Sequence, residues 1–97
     1  MTICLNPRHY QKVLQIINKY RSLGDFYVFG SRATGQASKF SDLDILILGK
    51  ESINIKNLSA LERDFSESSL PFRVDIVDAH RVSASFLKTI IKNKKKI

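Results

Sequence analysis

Tyr10, Val13, Leu14, Ile17 and Tyr20 recur at steps of three and four, the spacing that lines one face of a helix. Asn6-Pro7 stands just before this stripe. Asn accepts from free backbone N–H groups, and Pro is tolerated at the first helical position. The pattern predicts a helix over 7–22 that Gly24 closes as a left-handed cap. The aromatic and β-branched run Phe26-Tyr27-Val28-Phe29 reads as a strand that stops at Gly30. A short helix over 32–37 follows, with Ser31 at its amino end. Leu43 to Leu48 is apolar on both sides after its first residues, so it predicts a central strand, ended by Gly49. Leu58, Leu61 and Phe65 give helical spacing over 53–69, broken at Leu70-Pro71. Phe72, Val74 and Ile76 alternate with Arg73, Asp75 and Val77, a third strand. Ser83 caps a last helix that turns Phe86, Leu87, Ile90 and Ile91 inward.

This order predicts an α/β (α+β) fold, a small mixed sheet with helices packed mainly on one face. The 97 residues suffice for one domain and one modest core, so 1–97 is read as a single unit. A catalytic domain and a separate substrate domain of ordinary size do not both fit. If the chain is an enzyme, another molecule presents the second substrate.

Composition changes this picture in three ways. Apolar residues make up 43% of the chain, with six Phe and three Tyr, which excludes a disordered chain. The formal charge is +7, and Lys92-Asn93-Lys94-Lys95-Lys96 supplies much of it. A basic surface draws phosphate from any source, but such a run is ordinarily a frayed, solvated tail. No aromatics are interleaved with it for base stacking, so direct nucleic-acid binding ranks last. Finally, the lone Cys4 cannot form an internal disulfide, no run is long enough to span a membrane, and no signal-type apolar segment opens the chain. The expectation is a cytoplasmic protein with no membrane contact.

The chemistry concentrates between Phe29 and Ile45. Asp42 and Asp44 are two apart at the start of a strand and point to one face. Paired carboxylates repel unless a cation lies between them, and a hard cation such as Mg²⁺ suits oxygen ligands. Asp75 alternates away from the core-facing Phe72, Val74 and Ile76. If its face is that of Asp42 and Asp44, three acids converge. Gly30-Ser31 joins a strand to a helix start, where glycine allows close backbone approach and N–H groups attract phosphate. Arg32, Lys39 and Arg73 are the expected basic neighbours. A phosphate cradle beside an acid cluster is the equipment of phosphoryl-type transfer, in which two metals clamp attacking and leaving oxygens. His9 and His80 have no ligand-spaced partner, and Asp78 reads as a turn cap.

Gly30-Ser31, ten residues, then Asp42-x-Asp44 resembles the signature of polymerase-β-type nucleotidyltransferases. More narrowly, it is similar to the minimal nucleotidyltransferases, or MNT proteins, and the stretch Phe65 to Asp78 shares that likeness. The resemblance covers about 26–78. It implies the polymerase-β-like fold and ATP or another nucleoside triphosphate as donor. It implies Mg²⁺, two ions with nucleotide bound, held by the catalytic Asp42, Asp44 and Asp75. Gly30, Ser31 and Arg32 become the nucleotide-binding residues. Many MNT proteins pair with a helical HEPN toxin and act as its antitoxin by adding AMP to a toxin tyrosine. A hetero-oligomer with such a partner is therefore expected. The alternatives are an antitoxin that acts by contact alone, and a small-molecule nucleotidyltransferase whose acceptor pocket lies on another chain. Thr34 departs from the family, whose members often carry a second basic residue there.

Overall fold

The computed structural model describes residues 3–37 and 41–97. Lys39, expected near the site, lies outside them. The elements run α1 (Pro7–Asn18), β1 (Asp25–Phe29), α2 (Ser31–Thr34), β2 (Leu43–Leu48), α3 (Ile55–Ser66), β3 (Val74–Asp78), α4 (Ala84–Ile90) and β4 (Lys95–Lys96). The strands form one sheet in the order β3-β2-β1-β4. β1 is antiparallel to β2 and to β4, while β2 and β3 are parallel. The parallel pair needs a long crossover, which α3 supplies.

Strand alternation sorts the apolar residues onto two faces. Phe26, Val28, Leu43, Ile45, Ile47, Val74 and Ile76 pack against Val13, Ile16 and Ile17 of α1 and Leu61 and Phe65 of α3. Tyr27, Phe29, Leu46, Leu48 and Val77 pack on the opposite side against Leu87 and Ile90 of α4. Helices α1 and α3 thus cover one face, and α4 covers part of the other. β2 is flanked on both sides and fully buried at Leu43, Ile45, Leu46 and Ile47, as its unbroken apolar run requires.

Several expectations are corrected. The first helix ends at Asn18, and a separate 3₁₀ turn, Arg21–Leu23, precedes Gly24. Gly24 has φ 143° and ψ −164°, which is not the left-handed helical cap. A side chain there would strike the backbone around Gly49, so glycine is needed for close packing of two loops. Tyr20 packs against the core as expected, and its hydroxyl also donates to Asp64 Oδ2 at 2.6 Å, tying the segment after α1 to α3. On α4 only Leu87 and Ile90 face the sheet, because the helix turns Phe86 and Ile91 to solvent, 44% and 38% exposed. The lysine run is not frayed. Lys95 and Lys96 pair with Val28 and Tyr27, and the Ile97 N–H donates to the Phe26 carbonyl. The free edge of β1 offers unpaired backbone groups, and this outweighs the weak strand propensity of lysine.

Candidate active site

Alternation places Asp44 on the α4 face of β2, on the same side as Leu46, and Asp75 on the α4 face of β3, on the same side as Val77. The register sets Asp44 directly beside Asp75. Adjacent strands are about 4.8 Å apart, so the two carboxylates share one patch of surface. Asp42 approaches from the loop before β2. Burial pushes the Asp44 carboxyl above its ordinary value, and the negative charges of Asp75 and Asp42 push it further.

On its other side Asp44 pairs with Phe29, the last residue of β1, so Gly30 comes next to it. Gly30 has φ 74° and ψ −155°, a conformation that L side chains avoid. A Cβ built there would lie 2.5 Å from Asp44 Oδ2. The glycine therefore makes room for the carboxylate and brings the following turn against it. Gly30, not Ser31, occupies the cap position of α2, and Ser31 is the first helical residue. Gly35, at φ 82°, closes that helix as a left-handed cap.

Arg32 does not join this surface. It is 4% exposed, and its guanidinium donates to the Ser41 carbonyl from Nε at 3.0 Å and from Nη2 at 2.8 Å. Nη1 donates to the Cys4 carbonyl at 2.5 Å, and the cation lies 4.3 Å from the centroid of the Phe72 ring. Burial pulls its pKa below the ordinary arginine value. The expectation that Arg32 grips phosphate is corrected: its donors are spent on carbonyls inside the fold, and it positions the loop that carries Asp42.

Arg73 is the basic residue that reaches the acids. Its Nε and Nη2 each lie 3.0 Å from Asp75 Oδ1, and this partner raises its pKa. The pairing was readable from sequence, since residues two apart on a strand share a face. Asp78 is buried and structural. It accepts from the Ile53 N–H at 2.7 Å and the His80 N–H at 2.9 Å, with Arg81 Nε at 3.3 Å. His80 hydrogen-bonds the Gly49 carbonyl, and His9 packs edge-on against Phe72.

The carboxylate set matches a hard divalent cation in chemistry. Among the described residues, however, no group of three acids stands gathered closely enough to hold a metal ion; Asp75 is turned to Arg73. A cavity of about 720 Å³ lies at the other end of the strands between Gly24, Asp25, Gly49 and Asn54. It holds none of these acids, so its size does not make it the site. No described helix is long and apolar enough to cross a membrane.

Comparison with known proteins finds relatives in sequence and in fold. The family described as "Polymerase beta, Nucleotidyltransferase" matches residues 11–97. A Haemophilus influenzae protein named "Probable protein adenylyltransferase MntA" is 42% identical over 66 residues, covering 68% of this chain. That match spans 58% of the relative's own length. A crystal structure of a toxin–antitoxin with AMP-PNP superposes at a TM-score of 0.71 with 26% identity, over 95% of this chain and 72% of that one. An MNT antitoxin solved with the tri-AMPylated HEPN toxin of Shewanella oneidensis gives a TM-score of 0.65 at 22% identity, over 89% and 66% of the two chains. This last likeness speaks for the fold alone.

Proposed function

Because the chain belongs to the polymerase β nucleotidyltransferase family, we propose that it moves AMP from ATP to a hydroxyl of a partner protein. The acceptor is a tyrosine of a HEPN-type toxin, and the modification is the antitoxin activity. The observation that carries this reading is the register of Asp44 with Asp75, beside a glycine whose missing side chain leaves room for the Asp44 carboxylate. The relatives support the substrates: one bears an adenylyltransferase name, and another is a toxin–antitoxin with AMP-PNP.

In the reaction the tyrosine oxygen attacks the α-phosphorus. The bond from that phosphorus to the bridging oxygen breaks, and pyrophosphate leaves. Asp42 and Asp44 would hold Mg²⁺, which would supply charge neutralisation at the transferring phosphate. Asp44, half-buried, is the residue whose charge the fold tolerates least, and a cation relieves it. Asp75 lies on the edge strand with its side chain 37% exposed. An acceptor arriving over that edge meets Asp75, which takes the hydroxyl proton once Arg73 yields it. Gly30 and Ser31 cradle the departing phosphates. Arg32 acts from beneath by fixing the Ser41 carbonyl, one residue before Asp42.

The test is transfer of label from α-labelled ATP to the co-purified partner. Asp42→Asn and Asp44→Asn should each lower transfer by roughly 1,000-fold, the equivalent of several kcal/mol of charge stabilisation, with an unchanged circular dichroism spectrum. Full transfer by either variant would remove the metal-site reading. The Arg73–Asp75 pair favours one rival, an antitoxin that acts by contact alone; partner neutralisation without any label transfer would establish it.

A further inference from the structure

Among the described residues, neither of the basic neighbours expected at the site faces the leaving phosphates. Arg32 is buried, and Arg73 lies on the acceptor side against Asp75. A second pocket supplies what is missing. It has a volume of about 370 Å³ and is lined by Ala33, Thr34, Lys92, Asn93, Lys94 and Lys95. It therefore opens at the end of α2, directly after Gly30-Ser31. None of the described residues lining it is acidic. Lys92 and Lys94 bring positive charge to this space, which suits an anion of several charges.

The sheet sets Lys94 opposite the acids. Lys95 pairs with Val28, so the same register continued one step brings Lys94 beside Phe29. Phe29 pairs on its other side with Asp44, which pairs with Asp75. The row across the sheet thus runs from cation to apolar residue to two acids. The Lys94 ammonium lies 4.7 Å from the centroid of the Tyr27 ring. Tyr27 and Phe29 belong to the α4 face, the face that carries Asp44, so cation and acids share one side of the sheet.

We propose that the pocket between Thr34 and Lys92–Lys95 binds the terminal phosphates of the nucleoside triphosphate. The proposal rests on the transferase reading above and deepens it. The β- and γ-phosphates extend from the acids over Gly30-Ser31 toward the lysines, while the acceptor arrives from the β3 edge. The cations then lie on the leaving-group side, where charge develops as pyrophosphate departs.

Equilibrium binding of ATP, AMP and inorganic tripolyphosphate to the whole chain tests this. Lys92→Met/Lys94→Met should weaken ATP and tripolyphosphate by about tenfold or more, in line with the loss of charge-assisted phosphate bonds, and leave AMP unchanged. Lys12→Met/Lys56→Met removes the same charge from α1 and α3 and should change none of the three. Lys92→Gln, in the turn before β4, repeats the measurement without touching the sheet. Equal ATP affinity in wild type and both lysine variants overturns the proposal. So does an equal loss in the control, or no binding of ATP or tripolyphosphate by the wild type. Binding of a single-stranded RNA through these lysines that ATP does not displace overturns it in favour of nucleic acid. The transferase reading fails separately. Phosphate binding through the lysines without label transfer leaves the pocket and removes the transferase. Label transfer with an unchanged KM for ATP in the lysine variants does the reverse.

Discussion

At the scale of single residues, Gly30 and Asp44 are bound together by space and charge. Gly30→Ala would place a methyl group in a left-handed backbone and against the Asp44 carboxylate. The expected cost is about 1–3 kcal/mol, read as a lower urea midpoint, together with loss of label transfer because the carboxylate is displaced. Asp44 itself opposes stability in the absence of a cation. Its pKa is raised in the folded protein, first by burial and then by its two acidic neighbours, so the fold binds the proton more tightly than the unfolded chain does. Its favourable contribution is present below the unfolded carboxylate value, about 3.9, and is lost as pH rises through the higher folded value. Asp44→Asn should therefore raise Tm by a few degrees at pH 7, and the gain should vanish below about pH 4. Mg²⁺ should raise the Tm of the wild type and leave that of the variant unchanged. A variant less stable than wild type at pH 7 would show that no such repulsion exists. Asp42, Asp44 and the glycine-serine pair stand out as candidates in the sequence because their spacing is local. Residue chemistry misassigned Arg32, since nothing local to an arginine says that Cys4 and Ser41 will offer it carbonyls from two distant segments.

At the scale of elements, strands were easier to read than helix ends. Leu43–Leu48 was legible to the residue, because a strand buried on both faces has an unbroken apolar run and glycine just after it. α1 ends before its apolar stripe does, and α3 ends at Ser66, just past its last stripe residue Phe65 and short of the break at Leu70-Pro71. Tyr20 continues the helical spacing of α1 in sequence, yet it serves Asp64 from beyond the helix end. The Asn6, Asn54 and Ser83 side chains each accept a backbone N–H at the start of their helices. Asn6 and Ser83 were readable for that reason, whereas Asn54 lay inside the expected helix over 53–69. β4 was invisible, because a lysine run carries no strand signal of its own. Only the unsatisfied edge of β1 makes it a strand.

At the scale of the whole molecule, Arg32 is the tie among distant segments. It joins the amino-terminal arm at Cys4, the loop at Ser41 and the ring of Phe72 before β3. Arg32→Met keeps much of the volume but strips donors from buried carbonyls. It should cost about 1–3 kcal/mol for each acceptor left unsatisfied, measured by urea unfolding, and it should slow transfer by loosening the loop before Asp42. Arg32→Lys should restore little, since a point charge cannot bridge two carbonyls as a planar fork does. By itself the sequence determined the main helices and the three longer strands, most of the residues that face inward, and that acids and a glycine turn were available, because periodicity and spacing are properties of neighbours along the chain. Only the tertiary structure decided the order of the strands, the register that sets Asp44 beside Asp75, the burial of Arg32 and the docking of the lysine run on β1. Each of these depends on which distant backbone edges and carbonyls are left to be satisfied once the sheet has formed.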